Sequence, residues 1–361
     1  MRLNYVCQWD LNRKKTWSGT TWSLYKALEK KCNINEYDIR YTTLEKLLMR
    51  LSKISFSYNG IGKANQFNAV IDRIDQGKLK ALDTSFPSLQ IGCIGKAENS
   101  YIYEDLSASA LEMIYLKYSK AFEKSNFSNA SFQSIQEKVK RQNEVYRHSK
   151  AIFTMSHWVA EEIKKSAGID NVYCVGGGIN LDKKDIDSSL KVGNKFLFVG
   201  RDFYRKGGDL VVKSFVKLHK KYPYLELYIA GTQNIYGTEF KNIHWLGDLN
   251  KIQLVEYFNK CDIFCLPSEF EAYGLVFGEA LCFGLPCIGR NICEMPYFIE
   301  DGVNGYLIDG NDCDIFSELM ERAIFNEEMK KIVRDEKDKY LNKYSWDSVV
   351  DRLLSYIEEG E

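Results

Sequence analysis

Phe196-Leu197-Phe198-Val199-Gly200 is a short apolar run closed by glycine, the pattern of a strand buried on both faces of a parallel sheet. From Gly208 onward Leu210, Val211, Phe215 and Leu218 recur near the 3.6-residue period of a helix. Leu225-Glu226-Leu227-Tyr228-Ile229-Ala230-Gly231 predicts the next strand, with Pro223 punctuating the turn before it. Ile243-His244-Trp245-Leu246-Gly247 predicts another, and a helix from Lys251 to Asn259 leads into Asp262-Ile263-Phe264-Cys265-Leu266-Pro267. Pro286-Cys287-Ile288-Gly289 and Gly305-Tyr306-Leu307-Ile308 complete the series. Strands and helices that alternate through short loops specify a doubly wound parallel sheet.

Working outward, the first half is less regular but compatible with a similar sheet. Leu3 to Cys7 reads as a strand, Gly19-Thr20-Thr21 precedes a helix through Leu24, Ala27 and Leu28, and Leu89 to Tyr103 holds one or two strands. Glu137 to His148 is a polar helix followed by the strand Ala151-Ile152-Phe153-Thr154. Gly176-Gly177-Gly178 and the charged stretch Asp182 to Lys191 read as a linker. A terminal helix is expected from Leu341 to Ile357, with Trp346, Val349, Val350, Leu353 and Leu354 on one face. Three divisions follow: a first domain over 1–185, a second over 186–343, and a terminal helix over 344–361.

The 361 residues are enough for about two ordinary domains. With 45% hydrophobic and 27% charged residues the chain is globular, not disordered. No apolar run approaches the ~18 residues of a membrane span, and the N-terminus lacks a signal-peptide h-region. Ten cysteines without an export signal point to reduced thiols in a cytoplasmic protein. Formal charge is zero but uneven: residues 1–190 hold 28 Lys+Arg and 21 Asp+Glu (+7), so the remainder holds 21 and 28 (−7). A basic half suits a phospholipid surface or a phosphorylated acceptor, although drift in surface composition gives the same imbalance.

The densest chemistry lies in Ser268-Glu269-Phe270-Glu271-Ala272-Tyr273-Gly274-Leu275-Val276-Phe277-Gly278-Glu279-Ala280. Glu271 falls in the loop after a strand's carboxyl end, where open α/β sheets bind ligands. Gly274 and Leu275 would open the next helix and leave backbone N–H groups free toward that crevice. Glu279 sits about a turn inside it among Leu275, Val276, Phe277, Ala280 and Leu281, where a carboxylate needs hydrogen-bond donors. Sugar hydroxyls would serve.

A second motif is Val199-Gly200-Arg201-Asp202-Phe203-Tyr204-Arg205-Lys206-Gly207-Gly208. A strand ends, cations follow, and glycines introduce a helix. Arg201 offers a planar fork and Lys206 a mobile point charge for a diphosphate.

These two motifs, with Asp301-Gly302-Val303-Asn304-Gly305, resemble the retaining glycosyltransferases of family 4 (glycosyl transferases group 1). The resemblance is dense from Phe196 to Gly305 and continuous but weaker elsewhere, including Thr154-Met155-Ser156 and the segment after Ser345-Trp346. It implies the GT-B fold, two facing doubly wound Rossmann-like domains with a C-terminal helix crossing back to the first. It also implies that Arg201 and Lys206 bind the donor diphosphate, that Glu271 contacts the donor sugar, and that Glu279 holds the ribose diol. Tyr273, Gly274 and Leu275 would line the donor, Gly247 would flank the base, and Gly19 would lie near the phosphates. By the same resemblance the protein moves a sugar from a nucleotide-diphosphate sugar to a glycan, lipid-linked or other hydroxyl acceptor with retention, needing no metal or other cofactor and no nucleic-acid partner. Peripheral contact with the inner face of a membrane, through the basic first half, is compatible with it. Fixed cations and a helix N-terminus suffice to stabilise a diphosphate leaving group.

One segment departs from the family. Where many members carry His-x-His-Glu-Pro, this chain has Tyr101-Ile102-Tyr103-Glu104-Asp105-Leu106, with Tyr103 at the His position. Either Tyr103 or Asp105 would then hydrogen-bond the sugar, or the segment is an ordinary strand end. A non-catalytic GT-B partner of another transferase is the alternative that this departure motivates. A nicotinamide enzyme requires Gly-x-Gly-x-x-Gly, and Gly60-Ile61-Gly62-Lys63-Ala64-Asn65 lacks the last glycine. Gly92-Cys93-Ile94-Gly95-Lys96-Ala97 has neither the spacing nor the hydroxyl of a Walker loop. The four histidines form no metal pair; His244 suits a core strand and His219 a helix surface. Leu44, Leu47, Leu48, Leu51 and Ile54 recur at helical spacing beside Lys46, Arg50 and Lys53. Such a stripe is packed core more often than a membrane-surface helix, so packing into the core is expected.

Overall fold

The computed structural model describes residues 1–53, 55–57, 60–62, 67–181, 183–187, 191–237 and 240–359. Of the positions read above, Ile54, Lys63, Ala64, Asn65, Asp182, Ser188, Ser189 and Leu190 lie outside the described residues. The chain forms two compact units, Met1–Gly178 with Trp346–Glu361, and Ile179–Ser345.

The first unit is built on a six-stranded sheet: β1 (Arg2–Cys7), β2 (Asn33–Asp38), β3 (Ser88–Ile91), β4 (Ser100–Glu104), β5 (Ala151–Thr154) and β6 (Val172–Cys174). The order is β2-β1-β3-β4-β5-β6 and every pair is parallel. Leu89 to Tyr103 thus holds two strands. β1, β3, β4 and β5 are almost wholly buried, as parallel strands covered by helices must be. Gly60–Gly62 pairs antiparallel with Ser55–Ser57, which is not the strand-to-helix setting that a dinucleotide loop needs.

The helix Trp346–Glu359 belongs to this first unit. Trp346 lies over Gly178, where a Cβ would come within 2.5 Å of the indole. Lys30 pairs with Asp347 at 2.8 Å, Arg352 donates to the Val175 carbonyl at 2.8 Å, and Tyr356 stacks on Tyr173 at 4.0 Å. The expected continuous helix from Leu341 is instead two, Lys337–Lys343 and Trp346–Glu359. Its break falls at Tyr344, whose carbonyl accepts from the Ile179 N–H at 2.8 Å and whose ring packs on Phe298 within the second unit.

The stripe of leucines also departs from expectation. The helix Thr43–Ser52 has no buried residue, and Leu44, Leu47, Leu48 and Leu51 are exposed. A Thr42–Glu45 capping box and a 2.7 Å Lys78–Glu45 ion pair fix the helix by another face.

The second unit repeats the plan with β7 (Lys195–Val199), β8 (Glu226–Ala230), β9 (Ile243–Gly247), β10 (Ile263–Leu266), β11 (Cys287–Arg290) and β12 (Gly305–Ile308). The order is β9-β8-β7-β10-β11-β12, again all parallel. Phe196, Phe198, Phe264, Phe277 and Phe283 are fully buried around this sheet, each contributing roughly 1.5–3 kcal/mol. β9 is an edge strand, which is why His244 is exposed and stacked on Tyr228 at 4.5 Å, not in the core. From β7 the chain runs outward to β8 and β9, then returns to β10 on the other side. The strand order therefore reverses between β7 and β10, and a crevice opens outside their carboxyl ends.

Candidate active site

Both motifs meet at that reversal. After β7, Gly200 leads into the loop holding Arg201, Arg205 and Lys206, and the helix Gly208–Lys221 follows from Gly207. After β10, Pro267 and Ser268 lead to Glu271 and to the helix Leu275–Cys282. The loops touch closely enough to demand glycine. A Cβ on Gly207, whose φ is +74°, would stand 2.5 Å from the Pro267 carbonyl oxygen, and one on Gly200 would stand 2.4 Å from Lys206 Cδ.

Lys206 Nζ donates to Glu271 Oε1 at 2.6 Å, Ser268 Oγ donates to the same oxygen at 2.9 Å, and Arg205 Nη1 lies 3.6 Å from it. Burial pushes the Glu271 carboxyl up, but Lys206, Arg205 and the Ser268 hydroxyl outweigh it and hold the group below its ordinary range. It is a carboxylate at neutral pH. Arg201 stands apart, highly exposed, with Nε 3.0 Å from Asp248 Oδ1. An ion pair so open to water contributes little to stability, so its charge is free to be used by a ligand.

Gly274 takes φ +97° and opens the helix Leu275–Cys282 with no side-chain cap, leaving its first N–H groups to ligand or water. Tyr273 beside it is buried, its ring edge-on to Phe298 at 5.0 Å. Glu279 lies a turn further on. It is buried, and the Asn180 N–H donates to it at 3.5 Å. Burial raises its carboxyl to about 7, against smaller opposing effects of Asn180 and Lys251. Gly247 ends β9 with φ +63°, accepts from the Gly231 N–H at 2.7 Å, and has Gln233 Nε2 where a Cβ would sit.

The remaining expected residues lie in the first unit. Gly19, at φ +96°, starts the helix Thr20–Glu29. Tyr103 is fully buried on β4 and donates its hydroxyl to the Gly176 carbonyl at 2.8 Å. Asp105 follows β4 and is partly exposed. So Arg201, Lys206, Gly247, Glu271, Tyr273, Gly274, Leu275 and Glu279 share the second unit, and Gly19, Tyr103 and Asp105 share the first.

Sequence reasoning passed over three groups. Arg205 bonds Asp202 at 2.7 Å and the Phe270 carbonyl, so it braces the Glu271 loop. Arg290, buried at the end of β11, donates to the Pro267 carbonyl at 3.0 Å and to Asn311 at 2.6 Å. Neither has a periodic signal: Arg290 bonds mostly backbone carbonyls, and Arg205 joins two carboxylates and a carbonyl at irregular spacing. Glu104, at the carboxyl end of β4, is raised to about 8 by burial, which outweighs the Tyr146 hydroxyl donating to it at 3.1 Å. The first unit also holds a cavity of about 400 Å³ whose lining includes Arg73, Lys80, Lys96, Lys138 and Arg141. Asp72 there is bound by Lys138 and Arg141 at 2.7 and 2.6 Å.

Comparison with known proteins agrees with this fold. Residues 182–358 match the family of glycosyl transferases group 1. A D-inositol 3-phosphate glycosyltransferase of Thermobifida fusca is 27% identical over 182 residues, covering 45% of this chain and 42% of that protein. An uncharacterized 41.2 kDa protein in the cps region of Klebsiella pneumoniae is 31% identical over 134 residues, or 35% of each chain. The chain thus spans less than half the length of these two relatives. Among solved structures, Anabaena HepE in complex with UDP matches with a TM-score of 0.66 at 11% identity, covering 99% of this chain and 100% of that one. WaaG, a glycosyltransferase involved in lipopolysaccharide biosynthesis, matches with a TM-score of 0.62 at 14% identity, covering 99% and 98%. At such identities the likeness is one of fold.

Proposed function

We propose that this chain, whose residues 182–358 belong to the glycosyl transferases group 1 and whose two units have the GT-B fold, moves a sugar from a nucleotide-diphosphate sugar to a hydroxyl acceptor. The reading includes retention of anomeric configuration and independence of metal. It rests above all on the Lys206–Glu271 pair at the strand-order reversal.

All three contacts to Glu271 fall on Oε1, which leaves Oε2 to accept from donor-sugar hydroxyls. Arg201 and Lys206 offset the charge that develops on the departing diphosphate, and the uncapped helix end at Gly274 adds oriented N–H groups. Removing one such donor costs about 10²–10³ in rate in comparable sites. Glu279, short of donors, accepts from the two ribose hydroxyls. HepE was solved with UDP, as was a pneumococcal O-GlcNAc transferase, GtfA, so UDP-sugars are the first donors to try.

The acceptor is a glycan or lipid-linked glycan. The cationic cavity of the first unit favours one that carries phosphate or another anionic group. Contact with a membrane surface belongs to the same reading.

The test is thermal stabilisation and slow hydrolysis with UDP-, GDP- and ADP-sugars, each with EDTA present. One nucleotide class should stabilise the protein and release sugar, and Glu271→Ala and Arg201→Ala should abolish the release. Binding without release, even with acceptors added, would favour the non-catalytic partner. No binding at all would overturn the site.

A further inference from the structure

The helix Thr43–Ser52 is amphipathic yet turned the wrong way for a core. Leu44, Leu47, Leu48 and Leu51 are 66%, 50%, 45% and 54% exposed. At about 100° per residue they share one arc roughly 100° wide, while Glu45, Met49 and Ser52 share the next. That second arc is the one turned to the protein: these three are the less exposed residues of the helix, and Glu45 is held there by Lys78. Lys46 and Arg50, with Lys53 just beyond the last turn, occupy the third arc, and none of the three enters an ion pair among the described residues. Residues 40–80 carry eight Lys+Arg against three Asp+Glu, so the excess of positive charge in the first half is concentrated around this helix. Lys46 also lines a cavity of about 480 Å³ with the ion-paired Arg13 and Arg40, with Asp10 and Asp38, and with Leu11, which is fully exposed.

We propose that this helix lies in the headgroup layer of an anionic phospholipid bilayer, its leucines inserted and Lys46, Arg50 and Lys53 against lipid phosphates. The charge selects this occupant. An apolar face alone would suit any protein partner, but a leucine face flanked by unpaired cations within a strongly basic segment is matched by a surface that is apolar beneath and anionic on top. No helix among the described residues is long and apolar enough to cross a membrane. The proposal deepens the lipid-linked acceptor reading and rests on it for its purpose, while docking itself is measured without sugar transfer.

The experiment is sedimentation of the full chain with vesicles of phosphatidylcholine alone or mixed with phosphatidylglycerol. The protein should pellet with the mixed vesicles, little with phosphatidylcholine, and less at high salt. Leu47→Gln with Leu51→Gln should weaken partitioning roughly tenfold or more, and Lys46→Gln with Arg50→Gln by a similar factor on anionic vesicles only. The leucine variant should keep the wild-type melting curve and donor hydrolysis. Wild-type partitioning by that variant, or failure of the parent protein to pellet with anionic vesicles, would overturn the proposal. So would a dimer in light scattering that the leucine changes dissociate, which would make the face a contact between copies. Vesicle binding without sugar release, even with acceptors added, would sink the transferase reading and leave this one standing.

Discussion

Lys206 Nζ lies 2.6 Å from Oε1 of Glu271, although 65 residues separate them in the chain. Each follows a strand beside the reversal of sheet order, so the topology itself brings an ammonium and a carboxylate to one point. The pair is mostly buried, and Arg205 and Ser268 share the same oxygen. Removing the ammonium leaves a buried carboxylate with weaker partners. Lys206→Ala should therefore cost roughly 1–3 kcal/mol, and Lys206→Met with Glu271→Met should cost less than the sum of the single changes. Thermal melts of the four proteins measure this coupling. Additive losses would show that the contact carries no energy of its own. Donor hydrolysis should fall by about 10² or more in each single variant.

Glu279 yields a pH prediction. Its folded carboxyl titrates near 7 against an ordinary 4.5, because it is buried with little to compensate. Between those values the folded chain holds a proton that the unfolded chain has released. The favourable contribution is therefore complete below pH 4.5 and is lost as pH rises to about 7. Glu279→Gln should flatten that slope and raise the stability of the ligand-free protein above pH 7 by something on the order of 2 kcal/mol. Nucleotide binding should show the complement: affinity that rises through pH 7 with proton release, seen by calorimetry in buffers of different ionisation enthalpy. A Gln variant with an unchanged pH slope would remove Glu279 from both roles.

How much of this was readable in the residues differs between the units. The second unit was legible because its strands are apolar runs closed by Gly200, Gly231, Gly247 or Pro267, and each closure marks a sheet edge. Lys206 and Glu271 could be singled out because each follows such a closure. Arg290 could not, since a buried arginine that holds carbonyls has partners of no particular residue type. In the first unit, Tyr101-Ile102-Tyr103-Glu104 looks the same whether its tyrosines face a ligand or the interior, and the structure buries both. Leu44 to Leu51 show the limit of periodicity. It identifies an apolar face, but the side that meets the protein was decided by Glu45, Met49 and Ser52.

Two glycines of the second unit separate backbone strain from steric contact. Gly207 and Gly302 both adopt positive φ, at +74° and +80°, but a Cβ on Gly302 would meet open space whereas one on Gly207 would strike the Pro267 carbonyl. Gly302→Ala should cost about 1 kcal/mol and leave donor hydrolysis intact. Gly207→Ala should cost roughly 2–4 kcal/mol and also depress hydrolysis, because Pro267 must move and carries Ser268 and Glu271 with it. Equal activities in the two variants would show that the loop tolerates displacement.

Arg290 gives the strongest prediction about a residue remote from the reacting groups. Its guanidinium donates to Pro267 and Gly310 carbonyls and to Asn311, joining the loop after β10 to the loop after β12. Pro267 is the residue before Ser268, whose hydroxyl holds Glu271, so Arg290 is bonded one residue from the group that holds the Glu271 carboxylate. Arg290→Met fills the space but leaves the buried Pro267 carbonyl without its donor, at roughly 1–3 kcal/mol, while the exposed Gly310 carbonyl turns to water. Arg290→Lys restores charge but not the planar fork that reaches both loops. Both variants should melt lower than the parent, with Lys in between. If Arg290 positions Glu271, kcat for donor hydrolysis should drop about tenfold or more while nucleotide affinity, which the proposed function assigns to Glu279 and the Gly274 helix end, changes little. A variant that melts low yet keeps the parent's kcat would confine Arg290 to stability, and the loop would then owe its position to Arg205 alone.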